Sequence, residues 1–176
     1  VLWVHLIQSV LGALSVVAVC LISGEASKSR RISWIAGILA CFYMPLIFFE
    51  HFLLGETLSI FFNLWAIYLS IRAIQEPRHV RWKLFFSGLI FGVSSLLRPN
   101  TFLAVFALAF YFYYFFKSRM QTQLQRLILA FIFLAGAVLP LVPVALRNYY
   151  LYKDFLPVSA VGGINLYMGN NPSADG

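Results

Sequence analysis

Charge is what this sequence most conspicuously lacks. Only 11% of its 176 residues are Asp, Glu, Lys or Arg, against about 25% in ordinary soluble domains. A chain this poor in charge cannot cover a water-facing surface, which argues against a soluble globular domain. Cysteine is nearly absent. Cys20 and Cys41 both fall in apolar runs, so two lone thiols are expected and not a disulfide. No CxxC and no Cys/His cluster of zinc-ligand spacing occurs. A P-loop, GxGxxG, HExxH and GxSxG are missing too, which removes the common nucleotide, zinc-protease and serine-hydrolase signatures.

What the sequence has instead is apolar length: 61% hydrophobic and 18% aromatic residues. A membrane-crossing helix needs about 20 predominantly apolar residues. Six such runs stand out, at about 1–23, 32–50, 56–73, 83–97, 99–116 and 127–146. Lipid cannot satisfy an open backbone, so these runs should be helices. The expected fold is all-α, a polytopic transmembrane bundle over 1–146, followed by a polar loop over 147–176. The first run is too long for a signal-peptide core and has no basic leader. The chain begins at Val1 inside an apolar run, and a piece of a longer protein is expected.

The net charge of +7 would suit nucleic acid, but its placement argues otherwise. "GEASKSRR", "RAIQEPRHVRWK" and "KSRMQTQLQR" follow the first, third and fifth runs. They hold Lys28, Arg30, Arg31, Arg72, Arg78, Arg81, Lys83, Lys117, Arg119 and Arg126, whereas the alternate connections hold only Arg98, Arg147 and Lys153. That asymmetry is the positive-inside pattern. It makes the charge a matter of topology, predicts a multi-pass cell-membrane protein and puts the C-terminal loop outside the cytoplasm. No nucleic-acid partner is expected.

The unusual polar residues then share the outer face. In "PLIFFEHFLLGETL", Pro45 should kink the second span, and Glu50, His51 and Glu56 should crowd at the membrane surface. Ionisable groups there are costly unless they pair or work. Glu56 at the start of a helix also suits the dipole, whatever else it does. In "SLLRPN", Arg98 ends a short segment of about fifteen residues. That segment rises only ~22 Å, so Arg98 should sit below the surface, where a phosphate would suit it; snorkelling to headgroups is the plainer alternative. Pro99 fits the first position of the next helix, with Asn100 beside it. In "LRNYYLYKDFLPVSAVGGINLYMGNNPSADG", Arg147 and Asn148 should close the sixth helix. Asn165, Asn170 and Asn171 offer amides for hydroxyl groups, and Tyr167 offers a ring for a sugar face. A surface loop without a ligand would carry the same residues. "GLIFG", with Gly88 and Gly92, reads as a helix-packing face, and "FYFYYFF" at 110–116 as an aromatic belt at the inner interface.

Three of these stretches carry a resemblance. "LLGETL", "GLIFGVSSLLRPN" and the Arg-Asn-Tyr…Gly-Gly-x-Asn-x-Tyr-x-Gly-Asn-Asn-Pro stretch resemble the multi-pass glycosyltransferases of the GT-C fold, family 39 type. These include protein O-mannosyltransferases and aminoarabinose transferases. The resemblance implies an enzyme, often of a bacterial inner membrane, working on the extracytoplasmic face. Such an enzyme moves a sugar from a polyprenyl-phosphate carrier to a protein, lipid or glycan hydroxyl. It implies that Glu56 is an active-site carboxylate and Arg98 a residue near the carrier phosphate. His51, Asn100, Arg147, Asn148 and the loop amides would border donor or acceptor, and the principal acid would lie upstream of Val1. A divalent cation is conceivable, with His51 and Glu56 as ligands, as are contacts with membrane lipid. A polysaccharide ligase or polymerase, or a lipid-linked sugar flippase or transporter, are the competing expectations. A transporter would show internal repeats or broken helices.

Overall fold

The computed structural model describes residues 2–51, 55–120 and 122–153. Eight α-helices occur among them: α1 Leu2–Ser27, α2 Arg30–Cys41, α3 Met44–His51, α4 Glu56–Gln75, α5 Val80–Leu97, α6 Thr101–Phe115, α7 Gln123–Val138 and α8 Leu141–Tyr152. A single 3₁₀ turn, Phe116–Ser118, continues α6. Among the described residues there is no strand, so the all-α membrane bundle stands.

Four helices are long and apolar enough to cross a membrane: Trp3–Ser27, Glu56–Gln75, Val80–Leu97 and Thr101–Ser118. A fifth crossing results if α7 and α8 are one span bent by 48°. The expectation of six continuous spans is corrected at two places, and proline explains both. The second run comes as α2, of 12 residues, and α3, of 8. Pro45 has no N–H for the Cys41 carbonyl four residues earlier, and α2 ends at Cys41. The break is closed by Phe42 and Tyr43 N–H groups donating to Leu39 and Ala40 carbonyls at 3.2 Å each. In the last run, Pro140 and Pro143 deny a donor to Gly136 and Leu139, and the helix axis turns there. α8 also runs on to Tyr152, six residues beyond the expected end at 146, and stops where Lys153 turns left-handed (φ 55°).

The helices form a row: α2, α1, α4, α5, α7, with α6 against α5 and α7, α3 across α1 and α4, and α8 against α5 and α7. α4 and α5 are antiparallel. Ser59, Ala66 and Ala73 recur every seven residues on α4, and Ser87 and Ser94 do so on α5; all are buried. Ser70 Oγ meets Ser87 Oγ at 2.7 Å, and Ser87 Oγ donates to the Ala66 carbonyl at 2.8 Å. Lipid is as apolar as a side chain, so small residues and hydroxyl bonds, not hydrophobicity, hold such helices together. α5 and α7 touch backbone to backbone. A Cβ added at Gly88 would lie 2.1 Å from the Phe133 carbonyl oxygen, and one at Gly92 2.2 Å from that of Ala137. Gly136 answers from α7, with the Phe85 carbonyl 2.3 Å from its missing Cβ. The packing role read into "GLIFG" is therefore observed.

The core beneath this contact is aromatic. Phe133 is fully buried and packs edge-to-face on Phe112 at 5.0 Å and on Phe91 at 6.2 Å. Phe112 and Phe116 are thus core residues, which corrects the reading of 110–116 as a belt; Phe110, Tyr111 and Tyr114 of the same run do face outward. Elsewhere large apolar side chains such as Trp3, Leu39, Leu103 and Phe131 stand fully outward, as lipid-facing residues must.

The cation-rich end is tied together by ion pairs. Lys28 meets Glu25 at 2.7 Å, Arg72 meets Glu25 at 3.5 Å and Glu76 at 2.6 Å, and Lys83 meets Glu76 at 2.7 Å. Lys28 also bonds Gln75, and Arg119 caps the end of α4 by donating to the Ile74 carbonyl. These contacts place the C-termini of α1 and α4 side by side, beside the start of α5.

Candidate functional site

At the opposite end, α4 begins where α5 finishes. Glu56 opens α4 after Gly55, and Arg98 is the first residue past α5, with extended backbone (φ −136°, ψ 98°). The antiparallel seam brings the two together: an Arg98 Nη2 donates to Glu56 Oε1. The Glu56 side chain is 17% exposed and the Arg98 side chain 53%. The carboxylate is therefore the covered partner and the guanidinium the accessible one.

A second polar layer lies one turn deeper. Ser59 Oγ and Ser94 Oγ are 3.1 Å apart, buried, and three residues after Glu56 and four before Arg98. Ser94 also accepts the Arg98 backbone N–H on its carbonyl at 2.9 Å. Thr57 and Ser95 are buried beside them. The ion pair thus stands above a layer of buried hydroxyl groups. The sequence reading missed these serines. The signal available for them was small hydroxyl residues within apolar runs, Ser87 and Ser94 seven apart.

The arginine is less recessed than its segment length suggested. α5 starts at Val80, three residues before Lys83, and its 18 residues rise about 27 Å, close to the ~30 Å hydrocarbon thickness. Pro99 does not open α6 but lies in the turn before it. Thr101 N–H donates to the Arg98 carbonyl at 3.0 Å and Phe102 N–H to that of Pro99 at 3.0 Å. Asn100 stands at the N-cap position without a capping bond from its side chain, and is exposed.

Arg147 and Asn148 lie within α8 and not in a loop, Arg147 exposed and Asn148 half-buried. α8 starts beside Gly92 of α5, where Pro140 Cδ lies 3.0 Å from the missing Cβ. The same helix that presents Arg98 at its end therefore supports the base of α8. His51 ends α3; its side chain, and Asn165, Tyr167, Asn170 and Asn171, lie outside the described residues. Among the described residues no three His, Cys, Asp or Glu side chains gather in a way that would hold a metal ion, and Glu56 faces a guanidinium.

Comparison with known proteins gives no match. No family model fits the chain, and neither a curated protein nor a solved structure is similar to it.

Proposed function

We propose that this chain is membrane-embedded machinery of a glycosyltransferase that moves a sugar from a polyprenyl-phosphate carrier to a hydroxyl acceptor on the extracytoplasmic face. One observation carries the reading: a largely covered carboxylate paired with an accessible arginine at the cation-poor end of the bundle, on a hydroxyl floor. Transfer from a sugar phosphate needs a proton acceptor for the attacking hydroxyl and a cation for the departing phosphate. In this reading the carrier phosphate draws Arg98 away from Glu56. The acceptor hydroxyl gives its proton to the freed carboxylate while its oxygen bonds the anomeric carbon. The bond from that carbon to the phosphate oxygen breaks, and the phosphate leaves with the electron pair beside Arg98. Asn100, Arg147 and Asn148 would line the approach, along with the amides of the C-terminal stretch.

The test is transfer from a labelled polyprenyl-phosphate sugar in membranes holding the full-length protein. Glu56→Gln and Arg98→Ala are expected to lower transfer at least ~100-fold, the scale of general acid–base catalysis. The exchanged pair Glu56→Arg with Arg98→Glu separates chemistry from packing. A purely structural pair would work in either orientation, so recovery of transfer in the exchanged protein refutes the proposal.

The broken span of α7 and α8 favours a second reading, a transporter or flippase of a lipid-linked sugar, since helices interrupted by proline often line a substrate path. The same membranes decide between the two. Carrier that changes leaflet with no new glycosidic bond supports the transporter.

A further inference from the structure

The cation-rich end carries a pocket that the proposed reaction does not use. Val80 and Arg81 at the start of α5, Met120 after the 3₁₀ turn, and Gln125, Ile128 and Leu129 on the first turns of α7 enclose a cavity of about 190 Å³. Its chemistry is divided. Arg81 and Gln125 supply a guanidinium and an amide, while Val80, Met120, Ile128 and Leu129 supply an apolar lining. Ile128 also belongs to a second hollow of about 410 Å³ along α7, shared with Leu127, Phe131 and Leu134. The pocket thus pairs polar groups at the cation-rich end with an apolar lining on α7.

Charge decides what fits. Arg81 is exposed, and among the described residues it has no acidic partner, whereas its neighbours Arg72 and Lys83 are both spent on Glu76. Trp82, next in the chain, is 62% exposed and stacks on Phe86 at 6.1 Å, the behaviour of an indole anchored at the headgroup level. We infer that this pocket binds an anionic glycerophospholipid, its phosphate on Arg81 and Gln125 and one acyl chain along Ile128, Phe131 and Leu134. A guanidinium beside a neutral amide favours a phosphate without an accompanying ammonium. The mixed polar and apolar lining fits a molecule with a head and a tail and not a free anion. This site is independent of the transfer reaction: it lies at the other end of the bundle from Glu56.

Purified full-length protein in nanodiscs of 80% phosphatidylcholine and 20% phosphatidylglycerol tests it, with co-purifying lipid counted by mass spectrometry after mild detergent extraction. The wild type is expected to retain phosphatidylglycerol at least several-fold above its share of the bilayer. Arg81→Ala and Ile128→Trp, which respectively remove the cation and fill the cavity, should each bring retention down to that share. Arg81→Lys should keep part of it. Arg78→Ala removes an equal charge just outside the pocket and should leave retention unchanged. Equal losses in the Arg78 and Arg81 variants would mean diffuse attraction and overturn the site. Displacement of the lipid by inorganic phosphate would overturn it as well, by showing that the tail contributes nothing. Retention undiminished in both Arg81→Ala and Ile128→Trp would also overturn it.

Discussion

Gly88→Ala is the sharpest probe of how the candidate site is held. The added methyl would lie 2.1 Å from the Phe133 carbonyl oxygen and 3.0 Å from its carbon. Both belong to the backbone of α7, so no side chain can swing aside. Ordinary contacts begin near 3.4 Å, and α5 and α7 must therefore part by roughly 1 Å or lose their register, a strain of about 1–3 kcal/mol by analogy with overpacked cores. The effect should pass to the outer end, because α5 carries Arg98 one turn and a half beyond Gly92. The expected result is an earlier loss of the monodisperse peak on heating in detergent, together with lowered transfer. Gly55→Ala serves as the control. Among the described residues its methyl would meet nothing nearer than Leu97 Cδ2 at 3.7 Å, and its φ of −71° suits any residue. If Gly88→Ala melts with the wild type, or if Gly55→Ala falls as far, the close α5–α7 contact is not what holds the bundle.

Other outcomes follow from the same packing and charges. Ser70→Ala and Ser87→Ala should each cost about 0.6 kcal/mol, the average for hydroxyl bonds between membrane helices, and the double variant should cost less than the sum of the two in a thermodynamic cycle. Arg72 and Lys83 hold Glu76 well below the usual carboxylate range, from 4.5 down to about 2. A depressed carboxylate stabilises the fold above its unfolded value and ceases to do so as pH falls through its folded one. Thermal stability should therefore decline between pH 4.5 and pH 2 in the wild type, and less steeply in Glu76→Gln. In a protein freed of Cys20 and Cys41, a cysteine at Asn171 should react with an impermeant maleimide from the side opposite to one at Lys28. Labelling of both from one side would undo the assignment of faces. Exchanging Glu56 and Arg98 should leave transfer at least ~100-fold down.

The sequence made the helices legible because lipid leaves a chain few options: apolar length had to become helix, and the cations had to gather at one end. It also exposed Gly88 and Gly92, since two glycines four apart have little reason to sit in a helix except close approach. Pro45 announced a disturbance. That it ends α2 outright, four residues earlier, depends on which carbonyl loses its partner. The extension of α8 through Arg147 and Asn148 was hidden, because a polar pair ends an apolar run whether or not the helix stops there. The pairing of Glu56 with Arg98 was hidden for another reason. They are 42 residues apart in sequence, and only the antiparallel seam of α4 and α5 brings them into contact. The serines of that seam look like ordinary helix residues until their partners are known. In the aromatic run at 110–116, the helical turn alone decides that Phe112 and Phe116 point inward while Tyr111 and Tyr114 do not.

The hydroxyl ladder between α4 and α5 bears on how the chain enters its membrane. Taken alone, α4 would carry Ser59, Asn63 and Ser70 into hydrocarbon with few partners beyond its own turns. The very next segment to be synthesised, after a link of only four residues, supplies Ser87 and Ser94 at matching heights. Entering the membrane together as a hairpin, the two helices would bring those hydroxyl groups into contact. Lengthening that link, or reordering the two segments, would expose α4 to the bilayer before its complement arrives.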